Sequence, residues 1–262
     1  MDLSIIIPCY NEAENVPKLQ QELWPVLVEL SQTRTIEVIF VDDGSVDQTW
    51  QALVETFGRG HYPQVSVRFE HHEGNLGLGA AIRTGFAVAC GRVIVTTDSD
   101  GTYHFSEIPT LLSYLKPGFD LVTASPYHPA GKVMNVPAHR LILSRGSSTI
   151  YRLLVDRGIY TYTALFRAYR RSLVEQVPFM SDGYLAGTEL MVNGIFMGFQ
   201  AVEYPTVLHA RVFSTSKAKI MRTILAHLFF QAQVLHHRLK IHKKFTSLFL
   251  SGFSTGFREV IY

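Results

Sequence analysis

The first hundred residues alternate between short, densely apolar runs and longer stretches whose apolar residues fall three and four apart. Leu3 to Ile7, Glu37 to Val41, Val65 to Glu70 and Arg92 to Thr97 read as strands, bounded by turn-forming polar residues. Between them, Ala13 to Glu29, Gln48 to Thr56 and Leu78 to Cys90 carry helical periodicity. This alternation predicts an α/β fold, a mainly parallel sheet covered by helices on both faces. Ligands of such sheets bind outside the carboxyl ends of the strands. Pro8 to Glu12, Asp42 to Ser45 and Asp98 to Asp100 each follow an apolar strand directly, so three polar clusters are expected together on one rim.

Residues 101 to 208 mix Pro-punctuated loops with short helices and contain neither a clear linker nor an internal repeat. From about Lys217 to Leu239 an apolar stripe returns at helical spacing through Met221, Ile224, Leu225, Leu228, Leu235 and Leu239. Lys219, Arg222 and Arg238 lie on the other face. This is a basic amphipathic tail.

Composition narrows the classes. Hydrophobic residues make up 47% and aromatics 12% of 262 residues, enough for a packed core and too many for a disordered chain. Cys9 and Cys90 have no metal-ligand spacing; they are expected to be two buried free thiols in a reducing compartment. The N-terminus opens on a strand and carries no basic leader, and no segment reaches the ~18–20 apolar residues of a membrane span, so the expected location is cytoplasmic. The net charge of +2 conceals an asymmetry. Residues 211 to 262 hold nine Lys/Arg against one acid, whereas residues 1 to 210 hold 15 bases against 21 acids. A basic tail on an acidic body points to an anionic contact, a lipid surface or nucleic acid. Against nucleic acid, the bases are not interleaved with aromatic platforms.

Asp98-Ser99-Asp100 closes an apolar strand, and in an extended chain residues i and i+2 point the same way, so both carboxylates can face one ion. A hard divalent cation takes one or two carboxylates plus phosphate oxygens; the bland alternative is a solvated or capping turn. Asp47 and Ser45 are natural caps for the following helix. The adjacent Asp42 and Asp43 need a further partner, such as donors on a base or ribose, or a metal. Asn75-Leu76-Gly77-Leu78-Gly79-Ala80-Ala81 is a poor dinucleotide fingerprint, because it follows the third strand and Ile82 replaces the last glycine. Contact with a phosphate or ribose and mere tight packing both remain open for it.

Pro8 to Asn15, Val41 to Thr49, Gly77 to Ala80 and Asp98 to Asp100, in this order, resemble the family 2 GT-A glycosyltransferases, and within them the polyprenyl-phosphate (dolichol-phosphate mannose synthase-like) branch. The resemblance runs to about Lys217. It implies a Rossmann-like GT-A domain over 1–210, with 1–100 as the nucleotide-sugar-binding half, 101–210 as the acceptor half and 211–262 as the tail. It implies a nucleotide pocket of Pro8, Tyr10, Asn11, Glu12, Asp42 and Asp43, with Gly77 beside it. It also implies Mg²⁺ or Mn²⁺ on Asp98 and Asp100 against the diphosphate of a GDP- or UDP-sugar. The branch's third metal ligand falls on Thr102.

On the acceptor side, Arg140 and Ser144 match an arginine and serine that grip the acceptor phosphate, one helical turn apart. Arg211, in Arg211 to Lys217, matches a further arginine near the pyrophosphate. Thr163 to Arg167 resembles a Thr-Ser-Gly-Phe-Arg element in which Arg167 and Arg170 are candidates for structural pairing. Some positions depart from the branch. Pro126 replaces a phosphate-binding arginine, for which Arg145 or Lys132 could compensate, Thr161 replaces a common aspartate, and Leu165 and Ser214 replace glycines. Glu189 stands at the first position of a Glu-Asp pair that serves many family 2 enzymes as catalytic acid, and Leu190 breaks that pair.

The expectation is metal-dependent, inverting sugar transfer to a lipid phosphate at a membrane's cytoplasmic face. Competing readings are transfer to a sugar hydroxyl, which would lean on Glu189 as base, and a nucleotide-sugar-binding subunit without turnover. The tail would either lie on a membrane or pack on the domain or another subunit.

Overall fold

The computed structural model describes residues 1–58, 64–210 and 220–256, with the side chains of 139–140, 220 and 241–256 outside that description. A seven-stranded sheet forms the centre. It contains β1 (Leu3–Cys9), β2 (Ile36–Asp42), β3 (Val65–His71), β4 (Val93–Thr96), β5 (Leu121–Ser125), β7 (Arg167–Arg170) and β8 (Ala201–Pro205), in the order β3-β2-β1-β4-β7-β5-β8. Only β7 runs antiparallel to its neighbours. A small parallel pair, β6 (Lys132–Met134) with β9 (Val207–His209), stands apart.

β1 and β2 are buried at every position, as strands covered on both faces must be. On one side α1 (Val16–Ser31), α2 (Thr49–Phe57) and α4 (Ile108–Ser113) close a core through Leu19, Leu23, Leu27, Leu53 and Ile108. On the other, α3 (Leu78–Val88), α5 (Ala138–Leu154), α6 (Arg171–Gln176), α7 (Ala186–Phe196) and α8 (Ile220–Gly256) contribute to a second core around Ile82, Tyr151, Leu173, Leu190 and Phe230. The predicted strands and helices of the first half all form, each within three residues of its expected bounds.

One expectation needs correction. Cys9 is buried, and its thiol is pushed far up by desolvation, but Cys90 is exposed. Its apolar surroundings belong to the end of α3, and Cys90 itself sits in the turn that leads to β4. The tail's orientation, left open by the sequence, is settled for the described residues: the stripe is turned outward. Met221, Leu225, Leu228, Leu235 and Leu239 are exposed, whereas His227, Phe230, Gln231 and Val234 are buried against the domain. The helix therefore packs on the body through a more polar face and presents apolar side chains to its surroundings. No helix among the described residues is long and apolar enough to cross a membrane.

Candidate active site

The carboxyl ends of β3, β2, β1 and β4 lie side by side in parallel register, which brings the three polar clusters to one edge. The loop after β1 is laced to the loop after β2. Asn11 adopts a left-handed φ of 54° and donates its N–H to Ser45 Oγ (2.9 Å), while Val46 N–H donates to Asn11 Oδ1 (2.9 Å). Glu12 N–H donates to Thr49 Oγ1 (2.7 Å). Pro8 lies in β1 opposite Val41, and Tyr10 stands exposed just after β1. These bonds hold the loop rigid and leave an aromatic ring available for stacking.

Asp42 and Asp43 are both buried, and their partners come from within the chain. Asp42 accepts from Ser45 N–H (3.3 Å) and the Ser45 hydroxyl, and its other oxygen meets His71 Nδ1 at 2.9 Å. Asp43 meets His72 Nδ1 at 2.8 Å and accepts the N–H groups of Leu76 (3.0 Å) and Gly77 (2.8 Å). Sequence reasoning missed both histidines. The signal was a His-His step closing the strand that pairs, in register, with the one closed by Asp-Asp.

Gly77 has φ +105°, and a Cβ there would overlap the Asp182 carbonyl; one at Gly79 would overlap Ser181. The Gly79 N–H donates to Asp182 O at 2.7 Å. Tight packing is thus seen at both glycines.

β4 ends at Thr96, two residues before Asp98, so strand pleating does not align the acidic pair. Asp98-Ser99-Asp100 lies in a bend turned by Gly101 (φ +71°) and tethered to the start of α1 by Asn15, whose amide donates to Ser99 O. Asp98 is half-buried and lines a cavity of about 480 Å³; Asp100 is buried and accepts both Thr102 N–H (3.0 Å) and Thr102 Oγ (2.5 Å). Among the described residues no group of three or more His, Cys, Asp or Glu side chains surrounds one point. Two carboxylates and a hydroxyl fit a hard cation that completes its shell with phosphate and water oxygens.

The same cavity runs from Asp98 and Thr102 to α5 and α8. Its far walls include Leu141, Ile142, Ile150, Ile224 and Leu228. Ser144 faces it, with its hydroxyl 2.6 Å from that of Thr163. His227 and Gln231 of α8 reach the cavity and dock on α5. His227 Nδ1 lies 3.3 Å from Ser147 Oγ and 3.2 Å from Tyr151 OH, and Gln231 Nε2 donates to Ser147 Oγ (3.2 Å). Burial lowers the His227 pKa to about 4, which keeps the ring neutral. α8 is thus a wall of the cavity.

The structure does not bring every candidate to this cavity. Glu189 is on α7, where its two oxygens accept the N–H groups of Met180 (3.1 Å) and Ser181 (2.9 Å). The Arg140 side chain, and Arg211 with the rest of 211–219, lie outside the described residues. Arg167 is fully buried and donates to Thr123 Oγ1 (3.1 Å), Tyr162 O (2.6 Å) and Gly187 O; Arg170 donates to Phe119 O (2.7 Å). Both have structural partners.

Two of the departing positions prove to be neighbours. Ser125 Oγ lies 2.8 Å from Thr161 Oγ1, directly beside Pro126. Beneath them Glu203 accepts from Tyr160 N–H (2.9 Å) and Thr161 N–H (2.8 Å), and burial raises its pKa. Glu203 carried no signal in the sequence, since one acid in a short edge strand looks like a solvated residue.

A mostly parallel sheet covered by helices on both faces, with an acidic pair just beyond its carboxyl edge and beside one long cavity, is the GT-A fold. Solved structures of glucosyl-3-phosphoglycerate synthase from Mycobacterium tuberculosis share this fold. One bound to Mn²⁺, UDP and phosphoglyceric acid superposes with a TM-score of 0.66 at 20% identity, covering 88% of this chain and 78% of that one. Residues 4–177 match the family described as Glycosyl transferase family 2. The polyprenol monophosphomannose synthase of Mycolicibacterium smegmatis is 35% identical over 81% of this chain and 79% of its own. The dolichol-phosphate mannosyltransferase of Pyrococcus furiosus is 31% identical over 87% of this chain and 63% of its own. The chain belongs to glycosyl transferase family 2 and is a glycosyltransferase.

Proposed function

We propose that the protein transfers a sugar from a GDP- or UDP-sugar to a polyprenyl phosphate, with inversion at the anomeric carbon. The observation that carries this reading is the single cavity joining Asp98 and Thr102 at the strand edge to the apolar walls of α5 and α8. A polar acceptor would have no use for such walls. The names of the two relatives support the same acceptor class.

In this reading Pro8, Tyr10, Asn11, Glu12, Asp42 and Asp43 form the nucleotide site, with Gly77 shaping it from behind. Residues 1–100 make the donor half and 101–210 the acceptor half, to which the tail adds a wall. Asp98 and Asp100, with Thr102 beside them, would hold Mg²⁺ or Mn²⁺, which would supply Lewis-acid stabilisation of the leaving diphosphate. Ser144 orients the acceptor phosphate from α5, and Arg140 and Arg211 are assigned to the same anion. A phosphate monoester is already an anion near neutral pH, so its oxygen can attack the anomeric carbon without a base while the bond to the diphosphate breaks. Glu189, engaged with backbone N–H groups, is not needed for this reaction; transfer to a sugar hydroxyl would need such a base.

The outward apolar side chains of α8, with Ile142 and Leu153 of α5, would rest on a membrane, helped by the tail's bases at ~1 kcal/mol each near an anionic surface. The cytoplasmic face is where nucleotide sugar and basic tail would meet. The test is incubation with a panel of radiolabelled nucleotide sugars and a short polyprenyl phosphate, with Mn²⁺ or with chelator. Label entering the organic phase only with metal is expected. Label on a water-soluble sugar would transfer the assignment to a hydroxyl acceptor.

A further inference from the structure

Beside the cavity a groove of about 760 Å³ opens between the β6 segment and α5, sharing Pro126, Tyr127, Val136 and Leu141 with it. Its charged lining consists of Lys132 and Arg145; His128 and Asn135 add polar groups, and among the described residues no Asp or Glu lines it. No carboxylate among the described residues forms a salt bridge with either cation.

Tyr127 is the partition between groove and cavity. The Arg145 guanidinium lies over its ring, 5.1 Å from the centroid, and its phenol lies near Ser144. Burial raises the phenol's pKa, so it stays protonated. A guanidinium stacked on a ring keeps its edge N–H groups available for an anion. Ser144, Tyr127 and Arg145 thus lie in a row, from the cavity wall to an exposed cation that has no acidic partner among the described residues. Pro126, on the same partition, offers no charge.

We propose that Arg145 and Lys132 form an anion-binding site, on the groove side of Tyr127, that captures the phosphate monoester of the acceptor before it passes to Ser144 in the cavity. This rests on the phosphate-acceptor reading above and adds two residues to it. An anionic membrane headgroup shares the same chemistry, and the experiment separates the two.

Steady-state kinetics with a short polyprenyl phosphate would compare wild type, Arg145→Ala, Lys132→Ala and Arg145→Ala with Pro126→Arg. The expected result is an acceptor KM raised about tenfold or more in Arg145→Ala and less in Lys132→Ala, with donor KM unchanged. Pro126→Arg is expected to restore most of the loss. Calorimetric titration of the same prenyl phosphate gives a readout independent of turnover and should weaken in parallel. An unchanged acceptor KM in Arg145→Ala would overturn the inference. So would equal changes in donor and acceptor KM with a lowered melting temperature, or a loss confined to binding of anionic vesicles. Prenyl-phosphate binding that depends on Arg145, without any transfer in the wild type, would sink the proposed reaction and spare the site.

Discussion

Asp42 and His71 occupy paired positions of the parallel β2–β3 register and share a contact of 2.9 Å between Oδ2 and Nδ1. One residue further along, Asp43 and His72 repeat it at 2.8 Å. Two adjacent carboxylates can be buried at the carboxyl end of β2 because each has its own imidazole, and Asp43 also accepts two backbone N–H groups that fix the entry to α3. The pairs therefore link the carboxyl edge of the sheet to the loop 71–77.

His72 joins Asp43 to Thr84 Oγ1 (2.9 Å) on α3. Replacing it with alanine leaves a buried carboxylate short of a partner, at a cost of about 2 kcal/mol. Urea unfolding of His72→Ala should show that loss, accompanied by a raised donor KM. An unchanged midpoint would mean that Asp43 is held by backbone alone.

His227 carries a pH signature. Its folded pKa of about 4 lies below the value of 6.5 for a free histidine, so the unfolded chain binds the proton first. Its contribution is neutral above pH 6.5, and stability falls between pH 6.5 and about 4, by about 3 kcal/mol in all. Glu203, with its raised pKa, acts in the opposite sense, so the comparison must be with a variant. His227→Asn keeps a polar group toward Ser147 and Tyr151. Its unfolding free energy should fall less than that of the wild type across this window; parallel curves would contradict the assignment.

Leu225 and Phe229 are exposed on α8, and neither lines the cavity. The double change Leu225→Glu, Phe229→Glu should abolish sedimentation with anionic vesicles and leave the melting temperature within about a degree or two, since exposed positions contribute little to folding. Transfer to a detergent-dispersed short acceptor should persist. Retained vesicle binding would place the membrane contact elsewhere.

Much of this was legible in the chain. The sheet, its helices and the rim follow from apolar runs of fixed period, a signal carried by many residues at once. What was missed depends on contacts between distant residues. The Asp-His pairs need the parallel register, and Glu203 needs the loop 160–161 folded above it. The tail's apolar stripe is legible as helical, but which way it faces is not, because His227 and Gln231 dock through hydrogen bonds to α5 that no hydrophobic pattern records. The same holds for Asp98 and Asp100, whose relation is set by Gly101 and Asn15 and not by strand alternation.

The account depends most on a divalent cation between the acidic pair and the donor. Crystals soaked with Mn²⁺ and a nucleotide diphosphate, measured at the manganese absorption edge, locate the ion without reference to turnover. The account predicts one anomalous peak against Asp98, with Asp100 and Thr102 behind it and the diphosphate on its open side, and no peak in Asp98→Asn. A peak elsewhere, or one that survives the substitution, would contradict it.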